Sequence, residues 1–241
     1  DALKYPYQAL EKVIILGAVP LVALIIFVIV MLALAFTGSD VALVIGLVIG
    51  TMLLILSGFF VAGYLLRVVQ TSLAGEDEMP DFSNRWELLG NGLKLVVVQI
   101  VYLLIPFLAI ILGLWISYSA SAQALLGFLL LTMILGFLLF ILFSLFMIMA
   151  TAHLAATDSL KAAFQFSLIQ QKISNVGWGT YFLWYLMMLV LGMVGVVVMA
   201  FLSVIPILGS IVGWILIQPY LQTLFARSLA LVYLAEMEGD V

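Results

Sequence analysis

Apolar residues fill six long runs of this chain, and polar residues gather in the short segments between them. A helix that crosses the hydrocarbon core of a bilayer needs about 20 apolar residues. Each run is that long, and none carries a charged residue near its middle. The pattern therefore predicts an all-α, polytopic integral membrane protein with six transmembrane helices in a single membrane domain, 1–241. The runs are Val13–Phe36, Val41–Leu66, Leu95–Ile116, Leu125–Ala152, Thr180–Val204 and Ile207–Leu234.

Three polar-leaning segments precede the first, third and fifth runs, and apolar residues recur in each at the spacing of one helical face. The sets begin at Leu3, Phe82 and Ala162, which are 79 and 80 residues apart. One hypothesis is three tandem repeats (1–75, 80–157 and 158–238), each a short interfacial amphipathic helix followed by a transmembrane hairpin. The alternative is that helical spacing of apolar residues arises easily in so hydrophobic a chain, and that these segments are ordinary connectors.

Composition excludes a water-soluble fold. Hydrophobic residues make up 67% of the 241 positions and charged residues only 8%, with a mean hydropathy of +1.38. A soluble domain is roughly 45–50% apolar and about 25% charged. Lipid must therefore surround most of the chain. The first run is longer than the hydrophobic region of a signal peptide, so we expect a retained helix.

All eight Lys and Arg residues can be placed on one side of the six runs, whereas the connections on the other side carry a single charge, Asp40. Lys and Arg in short loops favour the cytoplasmic side of a membrane. This asymmetry predicts a cell-membrane protein with both termini in the cytoplasm. Eleven of the twelve acidic residues lie on the same side as the bases. That balance speaks against nucleic acid as a partner.

Glycine spacing suggests how the helices pack. Gly46 and Gly50, and also Gly209 and Gly213, form small-xxx-small pairs, which let helix backbones approach closely. We expect these four residues to be helix-packing positions.

Polar residues within the runs suggest a second kind of site. Gln99, Tyr102, Gln218 and Tyr220 could line a cavity that takes a lipid or a small molecule. Gln218 precedes Pro219, and its amide could either satisfy the backbone carbonyl that proline leaves free or face the cavity.

Other candidate chemistry is sparse. The acidic run 76–78 with Asp81 lacks the ligand spacing of a calcium loop, and a solvated loop is the favoured interpretation. His153 is the only histidine, so we expect an interfacial residue rather than a metal ligand. Arg67 either extends to the headgroups, pairs with an acid or holds an anionic lipid. We expect no catalytic residue, no metal and no cofactor.

The stretch from Gly63-Tyr64-Leu65-Leu66-Arg67 through Gly75-Glu76-Asp77-Glu78 and Pro80-Asp81-Phe82 to Trp86, Gly92 and Lys94 resembles an archaeal membrane family called "domain of unknown function 4013". The resemblance implies an archaeal cell membrane and about six helices. It implies no activity, and no binding residues follow from it.

Three functions remain open from the sequence. The first is a non-enzymatic structural or assembly subunit that packs with itself, as a homo-oligomer, or with another membrane complex. The second is a lipid-handling protein or a small-molecule transporter or channel. The third, an enzyme acting on lipids, is disfavoured because the spans lack paired ionisable groups. Membrane lipids are expected partners in each case.

Overall fold

A computed structural model describes residues 2–119, 121–205 and 207–238, without the side chains of residues 122, 123 and 236–238. The fold is 86% helical, and the described residues contain no strand. Within these described residues, six helices are long and apolar enough to cross a membrane, as the sequence predicts. The turn at Pro206, which the sequence places between the last two runs, lies outside the described residues.

We number the helices in chain order. The last transmembrane helix is interrupted, because α7 passes through a π-helical turn, Gly213–Ile217, into α8. Short 3-10 turns, Tyr7–Ala9 and Ala162–Phe164, precede α1 and α5. The helices are α1 (Leu10–Ala35), α2 (Asp40–Leu73), α3 (Arg85–Tyr118), α4 (Ala122–Thr157), α5 (Phe166–Val176), α6 (Trp178–Leu202), α7 (Leu208–Val212) and α8 (Gln218–Glu238).

Only the third of the predicted amphipathic segments is a separate helix. It is α5, which buries Ile169 and Ile173 and ends at Gly177, whose φ of 90° breaks the helix before α6. The second segment is divided at Asn84, whose φ is 53°, and from Arg85 onwards it continues into α3 as one helix. The first segment forms a 3-10 turn that runs into α1. The three repeats remain a prediction.

The ends of the bundle differ in polarity. Contacts among α1, α3, α8 and their connections bring the Lys and Arg residues to one end, which we call the basic end. Lys12 meets Asp81, Lys94 meets Asp158 and Arg227 meets Asp77. The opposite end carries the turn at 36–39 and the described residues 119, 121, 203–205 and 207. Lys12 near the start of α1 and Arg227 of α8 therefore lie at the same end of the bundle.

Large buried side chains are concentrated at the basic end. Tyr64, Met149 and Ile169 are fully buried there, whereas residues 24–35 of α1 and 103–116 of α3 bury no large side chain except Pro106. Buried positions in the half of the bundle towards the opposite end include the glycines Gly46, Gly136 and Gly195. Large side chains are thus buried mainly at the basic end, whereas helices that meet towards the opposite end do so through small residues.

Candidate functional site

Side chains of the bundle hold the 74–84 loop, between α2 and α3, at the basic end by donating hydrogen bonds to its backbone carbonyls. Arg67 donates hydrogen bonds to the carbonyl oxygens of Asp81 and Ser83, at 3.1 and 2.6 Å, and pairs with Glu87 at 3.3 Å. Of the roles considered for Arg67, pairing with an acid is the one that the geometry displays. Because its guanidinium is committed to this loop, it is poorly placed to hold a lipid headgroup.

The beginning of the chain holds the same loop. Lys12 Nζ donates to the carbonyl oxygen of Met79 at 2.6 Å and pairs with Asp81 at 2.7 Å. The charge and hydrogen bond of Lys12 lower the pKa of the Asp81 carboxyl. Tyr5 donates to the Glu78 carbonyl oxygen at 3.3 Å, and burial raises the pKa of its phenol.

The last helix supplies a buried cation to the loop. Arg227 lies inside α8 rather than in a connection, and it is only 5% exposed. It donates to the Glu76 carbonyl oxygen at 2.7 Å, pairs with Asp77 at 2.5 Å and lies over the Tyr5 ring at 5.0 Å. The first and last helices therefore share one anchor, the 74–84 loop. We call the loop and the side chains that bind its carbonyls the clamp. The described residues form no group suited to a metal ion.

Residues of the motif that carries the family resemblance build this clamp and the adjacent helix crossing. Tyr64 donates to the Pro80 carbonyl oxygen at 2.9 Å and stacks on Phe82 with ring centroids 4.4 Å apart. A Cβ at Gly63 would collide with the Leu88 carbonyl, so α2 and α3 cross with their backbones in contact. The spacing rule for small residues missed this crossing, because residues 59 and 67 are both large.

A mostly apolar cavity of about 490 Å³ lies between α8 and the helices α1, α2 and α3. The π-helical turn and Pro219 form one wall. Proline has no N–H to donate to the carbonyl of Ile215, and Gly17 of α1 lets the two backbones meet at Ile215. The irregular backbone of the last helix thus faces protein rather than lipid.

The cavity continues towards α4 and α6 in two further compartments. A compartment of about 270 Å³ shares Leu65, Leu95, Gln99 and Gln222 with the first. A groove of about 680 Å³ between α4, α6 and α8 joins the second compartment, with which it shares four lining residues. Those residues are Ile148, Trp184, Met188 and Phe225.

Three glutamine side chains are the notable polar groups of this cavity. Gln99, Gln218 and Gln222 line it, and none of them makes a hydrogen bond with another described residue. No charged residue lines any of the three compartments in the described part of the chain. Gln222 and Gln218 precede Arg227 by five and nine residues, which places them about 7 and 14 Å along the helix from it.

Of the residues predicted to line a cavity, the structure brings together Gln99 and Gln218 but not the tyrosines. Tyr102 is buried away from the cavity and donates to the Ala163 carbonyl oxygen at 2.8 Å. Tyr220 donates to the Leu3 carbonyl oxygen at 2.6 Å. Both hydroxyls bind connecting segments to the bundle. A tyrosine hydroxyl at the edge of an apolar core needs a hydrogen-bond partner, and here each donates to a backbone carbonyl.

Gln222 is a lining residue that sequence reasoning did not select. It follows Gln218 by four residues, and residues at this spacing share a helix face. That spacing was visible in the sequence. The side of α8 that faces the other helices was not.

The predicted packing glycines contact neighbouring helices of the same chain. Gly46 and Gly50 lie against Leu34 and Phe27 of α1. Gly209 lies against the backbone of Leu202, and Gly213 against Met199 of α6. These faces hold hairpins together and are not available to a second subunit.

His153 is buried beside Tyr233, with 2.9 Å between its Nδ1 and the tyrosine hydroxyl. It lies outside the cavity lining. Its surroundings give it a part in packing α4 against α8.

Comparison with known proteins gives a distant relative and a family. A segment of 73 residues is 29% identical to "Uncharacterized protein MJ1189" of Methanocaldococcus jannaschii, covering 29% of this chain and 26% of that protein. The match thus spans about a quarter of the relative's length. No solved structure matches the chain. The family model described as "Protein of unknown function (DUF4013)" matches residues 47–204, more than half of the sequence, and the chain belongs to that family.

Proposed function

We propose that this protein is a non-enzymatic membrane protein that binds a lipid-like molecule within the bilayer, in the cavity beside α8. The observation that carries the proposal is the set of three unpaired amides in an uncharged, mostly apolar space. The three side chains are half-buried, and an amide that faces hydrocarbon without a hydrogen-bond partner costs about 1–3 kcal/mol. A bound molecule that pairs with these amides would offset this cost.

A substitution at Gly58 tests the proposal. Gly58 lines the cavity, and a Cβ there would meet no atom within 4 Å, so the backbone leaves room for a side chain and Gly58→Phe should obstruct the cavity. Gly127 of α4 has equally open surroundings but lies outside the cavity, and Gly127→Phe is therefore the matched control. Each protein is purified in mild detergent, and its bound molecules are extracted and identified by mass spectrometry.

We expect a molecule that co-purifies with the wild-type and Gly127→Phe proteins and is lost from Gly58→Phe. If Gly58→Phe retains the same molecules in the same amounts as the control, the cavity is not the binding site and the proposal fails.

A structural or assembly role is the second candidate, and one observation favours it. In the most apolar 18 residues of each helix, the buried share is 6% for α4 and 11% for α6. The same share is 44% for the last helix. The groove between α4, α6 and α8 is lined by apolar residues and can receive side chains of a second copy or of another membrane protein. Crosslinking from a cysteine at Met193 in native membranes tests this role, and a product at the mass of the monomer alone would speak against it.

We further propose that the basic end faces the cytoplasm of an archaeal cell. The distribution of Lys and Arg supports this orientation, since short basic loops remain on the cytoplasmic side. The chain has no cysteine, so single cysteines can be introduced without background. An impermeant maleimide should label a cysteine at Gly38 in intact cells and one at Glu78 only after lysis, and the reverse pattern would invert the topology.

A further inference from the structure

We infer that the bound molecule has a single uncharged polar group, a hydroxyl or a carbonyl, held between Gln99 and Gln222. Its hydrocarbon chain would lie in the groove between α4, α6 and α8. This inference rests on the proposed function and adds the chemical class of the ligand and its orientation.

The first step is the absence of charge around the cavity. No Lys, Arg, Asp or Glu is among the described residues that line the three compartments. The buried arginine of the last helix, Arg227, is already paired with Asp77 and the Glu76 carbonyl. An ionised headgroup in the cavity would be desolvated without a partner, which is strongly unfavourable. The lining therefore selects an uncharged molecule.

The second step is the position of the amides. Gln99 and Gln222 line both the first and the second compartment, whereas Gln218 lines only the first. Each amide offers two N–H donors and one carbonyl acceptor. A ligand hydroxyl or carbonyl at the junction of the two compartments could therefore pair with Gln99 from one side and Gln222 from the other.

The third step is the path of the chain. Beyond the junction, the lining residues include the aromatic rings of Trp184 and Phe225 and the flexible side chain of Met188. The indole N–H of Trp184 already donates to Ser228 Oγ at 2.7 Å, so it does not need a hydrogen-bond acceptor on the ligand. Met188 and Met193 can adapt to chains of different shape. The groove therefore accepts hydrocarbon and rejects a second polar group.

Water is the competing occupant of the amide site. Ordered water would satisfy the glutamines, but it would give no preference among ligands that differ only in the headgroup. A comparison of headgroups on one hydrocarbon chain therefore separates the two explanations.

The experiment uses the whole protein in nanodiscs and four photoreactive probes with the same saturated chain. The probes carry a hydroxyl, a permanently charged sulfonate, a trimethylammonium or no headgroup. We expect the hydroxyl probe to label the wild-type protein about tenfold more than each of the others, the preference that one net hydrogen bond of about 1.4 kcal/mol provides. Labelled peptides should come from α4, α6 and α8.

Variants identify the group that recognises the headgroup. Gln99→Leu combined with Gln222→Leu should reduce labelling by the hydroxyl probe to the level of the probe without a headgroup. Gln171→Leu, on the exposed side of α5, should leave labelling unchanged. The wild-type comparison of probes stands even if the double variant fails to fold.

Two results would overturn the inference, and they differ in what they imply for the proposed function. Equal labelling by all four probes, blocked by Gly58→Phe, would refute headgroup selection but leave a lipid-binding cavity. Absence of specific labelling by any probe would refute both the inference and the proposed function.

Discussion

The two ends of this bundle are stabilised in different ways. At the basic end, side chains from α1, α2 and α8 bind the backbone of one loop, and large residues such as Tyr64 and Met149 are fully buried. Towards the opposite end, contacts run mainly within a hairpin, through glycines such as Gly50 against Phe27 and Gly136 against Ile110.

The contrast shows where a membrane protein needs polar interactions. At the basic end, backbone carbonyls of a connecting loop must find donors, and long cationic side chains supply them. In the hydrocarbon region, helices gain little from burying apolar residues away from lipid, so close packing there depends on small residues. The cavity lies between these two regions.

The largest expected effect comes from the helix crossing at the basic end. Gly63→Ala places a Cβ on the Leu88 carbonyl and should lower the free energy of unfolding by about 3 kcal/mol or more. Gly58→Ala, in the same helix, meets open space and should stabilise the protein by up to about 1 kcal/mol. Denaturation in mixed micelles measures both. Similar effects of the two substitutions would show that α2 and α3 do not cross in contact.

Removing the partner of the buried arginine should have the next largest effect. Asp77→Ala leaves the buried Arg227 with only the Glu76 carbonyl as acceptor. Because the Asp77 side chain is 89% exposed and the pair is screened, the variant should cost about 1–2 kcal/mol in unfolding free energy. Asp40→Ala, at the opposite end, removes an exposed acid that has no ion-pair partner among the described residues and should cost much less. An equal loss for the two variants would remove the energetic distinction between the ends.

A single hydroxyl provides a finer comparison. Tyr64→Phe deletes the hydrogen bond to the Pro80 carbonyl and should lower the free energy of unfolding by about 1 kcal/mol. Tyr118, 88% exposed at the opposite end, is the matched control, and Tyr118→Phe should leave stability unchanged. If Tyr118→Phe lost as much stability as Tyr64→Phe, the hydrogen bond of Tyr64 would not account for the difference between the two ends.

The smallest effect is in the pH dependence of the clamp. Lys12 lowers the pKa of the Asp81 carboxyl below its ordinary 3.8. The folded pKa is therefore below the unfolded one, so the stabilisation is present above about pH 4 and is lost as pH falls through the folded pKa. NMR titration should show the pKa of Asp81 rising towards the ordinary value in Lys12→Met. An unchanged pKa would mean that the two side chains are not paired in solution.

The fold was largely predictable from the sequence, because the length and apolarity of the six runs leave one structural class. The ends of the helices were less predictable. Helix α2 extends to Leu73, beyond the predicted Leu66, because a helix continues past the apolar run until a residue such as Gly75 ends it. The polar start of α3 likewise continues into its span, because no breaking residue intervenes.

The candidate site was only partly predictable. Gln99 and Gln218 were selected because amides are rare in such runs, and they do face one cavity. Tyr102 and Tyr220 were equally unusual but bind carbonyls of distant segments, Ala163 and Leu3. Sequence identifies which polar groups need partners, but the partners depend on how the helices are arranged.

The most direct test of the account compares motion at the two ends in a bilayer. Spin labels are attached at Glu78 and Lys161, two exposed positions at the basic end, and in a second protein at Thr37 and Ser119, two exposed positions at the opposite end. Distances are measured by pulsed electron resonance in nanodiscs. The account predicts a narrow distance distribution at the basic end and a clearly broader one at the opposite end, because sparse packing permits motion. Equally narrow distributions at both ends would contradict it.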